Sequence, residues 1–303
     1  MNVLGTLQLG FIYGILTLGI FITFRVMNMP DLTVDGSFTL GLAVSAALAL
    51  SGRPVLGLLL GFISGAGAGA VTGLLQTKAG IHSLLAGILT MTGLYSVNLA
   101  IMHGSPNVSL LQSGTVFSAI RAAFPAANKD VVILTAIVVL CVLCFAGLAW
   151  FFHTGAGLRV RAAGDNAAMV RASSINADHV CILSVALANA FIGLSGAVLA
   201  QYQGYADINA GTGIIVVGLA SVVIGEVAVK KQTIVAGLLA AVIGAVAYRV
   251  LIALALSADF FPAYMLRLVS AVIVAATLAI PRLRAFAQDA KIKKEGRRNV
   301  ENQ

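Results

Sequence analysis

The chain has 303 residues, of which 59% are apolar and 10% are charged. A soluble domain carries about 25% charged residues, so this composition excludes a water-soluble globular fold and makes a bilayer the natural solvent. The net charge is +8, and half of that surplus lies beyond Ile280, where seven basic residues face three acidic ones. Such a tail suits an anionic membrane surface better than nucleic acid, so membrane lipid is the expected contact and no nucleic acid is.

A transmembrane helix needs about 20 apolar residues. Apolar runs fall near 4–24, 54–75, 82–102, 130–152, 179–200, 212–229, 233–256 and 264–280, with a shorter one at 38–50. The pattern predicts an all-α integral membrane protein with about nine transmembrane segments, one of them short or broken. One transmembrane domain over 1–280 precedes a basic cytoplasmic tail, 281–303. Basic residues mark the cytoplasmic side. Arg159, Arg161 and Arg171, then Lys230 and Lys231, then the tail can all share it, with Arg53 dissenting. The amino terminus then lies outside and the carboxyl terminus inside. The first basic residue, Arg25, follows the first apolar run, so no cleavable signal is expected.

The first polar interruption is RVMNMPDLTVDGSF, Arg25 to Phe38. Pro30 cannot continue a regular helix, and Asp31 and Asp35 lie near a helix start, where unpaired N–H groups favour negative charge. A cytoplasmic loop with capping aspartates fits. So does a discontinuous helix lining a path, because broken backbone at depth is tolerated where protein or a water-filled cavity satisfies it. Further on, Gly61, Gly65, Gly69 and Gly73 recur every four residues and form a flat stripe for helix packing or a subunit interface. The stretches MHGSPNVSLLQSG, after Ile101, and AQYQGYADINAGTG, from Ala200, read as external connectors. Gln201, Tyr202 and Gln203 in the second of these are placed to line a cavity mouth.

Cys141 and Cys144 form a CxxC without a second pair, and the four histidines have no ligand spacing, so no metal site is expected. Glu226 stands four residues before Lys230, the spacing of a local ion pair.

The stretch LRVRAAGDNAAMVRASSIN, Leu158 to Asn176, is a polar helical island between two membrane-length runs. Gly164 breaks what precedes it, and Asp165 or Asn166 can cap the short helix that follows, which projects Met169 and Val170 among arginines. A surface-lying amphipathic helix and a docking knob for another protein both fit these residues.

HTGAGLRVRAAGDNAAMVRASSINADHV resembles the cytoplasmic coupling loop of the branched-chain amino-acid and sugar permease family of ATP-binding cassette importers. Gly157, Arg159, Arg161, Ala162, Gly164, Asp165, Asn166, Ile175 and Asn176 carry the likeness, while Val160 and Ser174 depart from the family's usual alanine and glycine. The first two segments with DLTVDGS, and the stretch GLSGAVLAQYQGYADINAGTGIIVVGLASVVIGE, are similar to the same family, and the likeness covers about 5–280. SLLAGILTMTGLYSVNLAIMHGSPNVSLL resembles the branch linked to aromatic amino-acid uptake.

The resemblance implies a type II-like importer permease fold in a bacterial inner membrane. It implies a coupling loop over 153–178, in which Gly157, Arg159, Arg161, Gly164, Asp165, Asn166, Met169, Arg171, Ile175 and Asn176 engage a cytoplasmic ATP-binding subunit. It further implies an extracytoplasmic substrate-binding protein and a second permease copy in a homodimer. The chain has no Gly-x-x-x-x-Gly-Lys-Ser/Thr loop. ATP is therefore expected to be used by the partner, with no cofactor bound by this chain. Candidates along the translocation path are Asp31, Asp35, Ser37, Asn98 and Gln201. An amino acid, aromatic ones included, is the first implied substrate, and sugars and nucleosides come next. An ion-coupled secondary transporter would need an ion site, for which intramembrane charges are few. A membrane enzyme would need a reactive cluster that these histidine spacings do not supply.

Overall fold

A computed structural model describes residues 3–125, 128–173, 175–229 and 233–257, together with 268, 271, 272 and 275. The apolar run at 264–280, the tail at 281–303 and the pair Lys230 and Lys231 lie outside this description, apart from those four positions. The elements in order are α1 (Val3–Ile20), continued by a π-helical segment (Phe21–Val26), α2 (Thr33–Leu50), α3 (Pro54–Thr77), α4 (Ser83–Ile101), β1 (Asn107–Ser109), α5 (Val116–Ala123), α6 (Lys129–His153), α7 (Gly155–Asp165), α8 (Ala167–Ala172), α9 (Ala177–Gln203), β2 (Tyr205–Asp207), α10 (Ile214–Ala228) and α11 (Ile234–Ser257). Helix dominates because hydrocarbon offers backbone N–H and C=O groups no partner outside their own segment.

Among the described residues, seven helices are long and apolar enough to cross a membrane. Helix α10 has 15 residues and spans about 22 Å, less than the roughly 30 Å hydrocarbon core. Eight of the nine apolar runs thus appear as helices, and the short one is α10 rather than the run at 38–50. That run lengthens because Thr33, Asp35 and Ser37, polar in sequence, form the first turns of α2. Their polar groups face protein, so hydropathy alone misses them.

Helix α9 runs through the middle of the bundle, packed by α1, α2 and α3, while α6, α10 and α11 gather around α1 and α4 lies against α2 and α3. The glycine stripe of α3 faces α9. A Cβ at Gly61 would come within 2.6 Å of the Ala197 methyl, one at Gly73 within 2.8 Å of the Ile182 Cα, and ones at Gly65 and Gly69 would collide with the carbonyl oxygens of Asn189 and Val185. Gly193 answers from α9, where a Cβ would meet the carbonyl of Gly61. The stripe therefore serves packing within the chain. With lipid as solvent, such backbone approach replaces the hydrophobic effect as the force between helices.

At the end of the bundle away from α7 and α8, the two connectors meet. Strands β1 and β2 pair antiparallel with Asn107 opposite Asp207 and Ser109 opposite Tyr205. Tyr202 donates to Gln8 Oε1 at 2.8 Å and stacks edge-on against Phe117 of α5. Helix α5, unmarked in the hydropathy profile, is started by a reciprocal cap between Thr115 and Ser118.

Gly65→Ala drives a methyl into the Asn189 carbonyl. Overpacking of this kind costs about 1–3 kcal/mol. The thermal midpoint of the purified protein in detergent should fall, whereas Gly67→Ala on the same helix, where a Cβ meets nothing within 4 Å, should leave it unchanged.

Candidate functional site

Two helices begin inside the bundle rather than at its surface, and each start is held by an aspartate. The first follows the π-helical segment. Met27 and Met29 N–H groups still bond back to Ile22 and Thr23 carbonyls. The chain then turns inward at Pro30. Asp31 is buried, and its carboxylate accepts the Thr33 N–H at 2.9 Å and the Asn189 side-chain amide at 2.7 Å. Asn189 lies near the middle of α9, so the Arg25–Phe38 interruption enters the bundle at Asp31 while Arg25, Asn28 and Pro30 stay exposed: a discontinuous helix whose first part is a surface turn. A hydroxyl chain continues from Thr33 to Thr72 at 2.7 Å and from Thr72 to Thr90 at 2.9 Å, tying α2 to α3 and α4.

The second internal start is that of α10. After β2 the chain descends into the bundle, where Gly211 packs against the Asp35 carbonyl and the Thr39 hydroxyl. The Asp35 carboxylate accepts the N–H of Gly213 at 2.8 Å and of Ile215 at 3.0 Å. These are among the donors that a helix start leaves unpaired, and they sit at the positive end of its dipole. Part of the stretch read as an external connector is therefore a re-entrant loop.

A cavity of about 310 Å³ opens beside this junction, lined by Asp35, Thr39, Met91, Tyr95, Asn98 and Thr212 among others. Asn98 donates to the Gly36 carbonyl at 3.3 Å, while its own carbonyl oxygen is buried with no partner among the described residues. Of the path candidates, Asp35 and Asn98 thus come together at one cavity. Asp31 lies in the Asn189 clamp. Ser37 is fully buried in α2, its hydroxyl unpartnered among the described residues. Gln201 is buried near the strand end of the bundle, bonding the Val116 N–H, the Ser45 hydroxyl and the Pro54 carbonyl.

The island between α6 and α9 folds as two short helices joined at a bend. Thr154 caps α7 through the Gly157 N–H. Asn166 caps α8 through the Met169 N–H at 3.0 Å, and Asn176 caps α9 through the N–H groups of Asp178 and His179. Inward-facing Val160, Ala163 and Val170 are buried, which seats the pair on the bundle. Gly157 lies against the Phe151 and Phe152 backbone, and Gly164 against the Val26 carbonyl, both too close for a Cβ. The outer face exposes Leu158, Arg159, Arg161, Asp165, Asn166, Met169 and Arg171. Ile175 is half-buried and Asn176 exposed. Ala167's side chain and Ser174 lie outside the description.

A cleft of about 400 Å³ runs beside this segment, lined by Arg25, Arg161, Asp165 and Glu226. Glu226, whose spacing suggests Lys230, pairs with Arg25 at 2.7 Å. Sequence reading also passes over Asn189, Tyr95 and Arg249. Arg249 lies in α11 with its guanidinium 3.8 Å from the centre of the Tyr13 ring. A lone cation in an otherwise apolar run was the available signal for it.

A multi-pass bundle with two internal helix starts, a largely apolar cavity holding a carboxylate beside one of them and a capped helical pair at one end fits a membrane permease. The chain belongs to the family described as the permease component of the branched-chain amino acid transport system, whose model matches residues 2–281. It is the membrane component of an ATP-binding cassette importer of that family, which works with an ATPase and a substrate-binding partner. It is 34% identical over 283 residues to the tyrosine transport system permease protein of Clostridioides difficile (strain R20291), covering 93% of this chain and 92% of that one. It is 34% identical over 226 residues to the uncharacterized protein RP368 of Rickettsia prowazekii (strain Madrid E), covering 74% and 77%. It is 26% identical over 228 residues to the ribose import permease protein RbsC of Escherichia coli (strain K12), covering 74% and 68%. No solved structure gives a significant match.

Asn189→Leu strips a hydrogen-bond donor from a buried carboxylate, a change that costs about 1–3 kcal/mol where no new partner appears. The thermal midpoint in detergent should drop sharply, and adding Asp31→Leu should recover part of the loss. Independent, additive effects of the two substitutions would count against the clamp.

Proposed function

We propose that the chain forms the path for an amino acid, aromatic ones first, in a homodimeric importer whose α7–α8 pair docks on the ATPase. The observation that carries this reading is the pair itself. It is capped at both helix starts, seated by Gly164 on the Val26 carbonyl, and presents Met169 with 54% of its surface free. A short stiff element with an apolar tip among arginines suits a groove in a partner. In this arrangement the α7–α8 end faces the cytoplasm, with the amino terminus on the other side, in a bacterial inner membrane. The roles of Gly157, Arg159, Arg161, Asp165, Asn166, Arg171, Ile175 and Asn176 belong to the same reading: Gly157 and Gly164 seat the pair, Asn166 and Asn176 cap it, and the charged residues meet the partner. ATP is bound and hydrolysed by that partner.

Movement at α8 has a direct route to the cavity. Gly164 bears on Val26, Arg25 beside it holds Glu226 near the end of α10, and the start of α10 is held by Asp35. Helix α10 thus connects coupling segment and cavity as one rigid rod. Nucleotide-driven closure of the ATPase dimer would tilt this rod and switch access.

The exposed faces support a second copy across α4. The outward faces of α3 and α6 carry aliphatic side chains such as Val55, Leu59, Ile63, Val139, Val142 and Leu143. That of α4 carries aliphatic Leu85, Leu89 and Val97 too, and adds Thr92 and Tyr95 beside the cavity, with Ser96 nearby. Hydroxyl groups are disfavoured against lipid, so this face suits a shared central path. The tyrosine transport relative supports an amino-acid substrate.

Met169→Asp should abolish stimulation of the partner ATPase and ATP-driven uptake in liposomes without shifting the thermal midpoint. Uphill uptake by the purified chain alone would refute the reading. Arg25→Gln and Glu226→Gln should change stability little, since the pair is largely exposed and such pairs contribute about 0–1 kcal/mol. Each should lower uptake per ATP hydrolysed, and the swapped pair Arg25→Glu with Glu226→Arg should restore part of it.

A further inference from the structure

The cavity beside α10 contains a carboxylate, and among its described lining residues there is no lysine, arginine or histidine. The Asp35 carboxylate offers about four acceptor directions; Gly213 and Ile215 take two of them, the Ile214 N–H also acts on it, and at least one direction is left. Asn98, 1% exposed, commits its amide N–H to Gly36 and leaves its carbonyl oxygen buried without a partner among the described residues. Both unfilled groups are acceptors, and both belong to residues that line the same space. An unfilled acceptor beside a negative charge asks for a cationic donor. A substrate carboxylate meets the opposite situation: the helix-start N–H groups that would bind it are occupied by Asp35. Met91, Tyr95 and Ile208 supply apolar and aromatic surface on the remaining sides. Tyr95, half exposed, can also face a cation with its ring.

We propose that this cavity is an ammonium site, in which the Asp35 carboxylate and the Asn98 carbonyl oxygen accept the amino group of the solute while Met91, Tyr95 and Ile208 hold its apolar body. The proposal rests on the permease reading and specifies the chemistry recognised at its path. An ammonium group has three donors, enough for both acceptors at once. Bound there, it adds a positive charge next to the carboxylate that holds α10, so occupancy of the cavity bears on the same contact that anchors the rod.

The test measures displacement of labelled L-tyrosine from the purified permease–ATPase complex in detergent. The competitors are tyramine, which keeps the ammonium and lacks the carboxylate, and hydroxyphenylpropanoate, which has the reverse. Tyramine should compete, and hydroxyphenylpropanoate should be at least about tenfold weaker. Asn98→Leu should weaken L-tyrosine and tyramine together. Equal competition by the deaminated acid, or no binding of either ammonium compound, overturns the proposal. A second measurement does not depend on substrate identity. A cysteine at Thr92 should react about tenfold faster with a cationic aminoethyl methanethiosulfonate than with the anionic sulfonatoethyl reagent, against the unsubstituted chain as background. Asp35→Asn should remove that preference, and equal rates in the presence of Asp35 refute the site. ATP-driven uptake is followed in the same preparation. Uptake without ammonium discrimination defeats this proposal alone, whereas absence of partner-dependent uptake defeats the permease reading.

Discussion

Hydrocarbon cannot hydrogen-bond, so a helix that starts inside a membrane protein must find partners for its first N–H groups within the protein. This chain starts two helices there, and it meets the constraint with two aspartates four residues apart. Asp31 takes the Thr33 N–H at the head of α2, and Asp35 takes two N–H groups at the head of α10. The polar groups around them follow from that choice. Asn189 is needed because Asp31 would otherwise keep a buried charge with one partner too few, and the Thr33–Thr72–Thr90 hydroxyl chain fixes the same turn to its neighbours. The cavity lies where these broken ends leave the bundle incompletely filled.

The same constraint explains the glycines. Burying Asn189 at the centre of α9 places a polar side chain against α3, and the two helices can still lie flush because Gly61, Gly65, Gly69 and Gly73 remove every side chain from the facing stripe. Close backbone packing makes α3 and α9 a rigid frame. Against it, α10 is short, begins on a carboxylate and ends near an exposed ion pair. Along its length α10 packs on α11, where Gly225 meets the Ala240 carbonyl and Gly244 meets the Ser221 carbonyl, so the two move together.

Among the described residues, the Asp31 and Asp35 carboxylates both accept helix-start N–H groups, while Arg25 and Arg161 line the cleft by α7. In the proposed function the route from Val26 through Glu226 to Asp35 would carry movement from an ATPase docked at the α7–α8 pair to the cavity.

How much of this was legible in the sequence depended on the range of the interaction. Hydropathy is a property of consecutive residues, so eight apolar runs map onto helices, and local hydrogen bonding made Asn166 a readable cap. Four-residue periodicity exposed the glycine stripe but could not say which helix it met. The aspartates were visible as polar residues near a helix start, yet Asp31 and Asp35 look alike there. Only the fold gives one to Asn189, 158 residues away, and the other to Gly213, 178 residues away. Likewise Glu226 had a sequence neighbour in Lys230, and the fold supplied Arg25 instead. The sequence by itself therefore determined the solvent, eight of the apolar helices and the caps of the α7–α8 pair, because those are set by composition and near neighbours. The tertiary structure decided which polar groups clamp, which cap and which remain open to a solute, because in a bilayer each must be matched by a partner that chain order does not reveal.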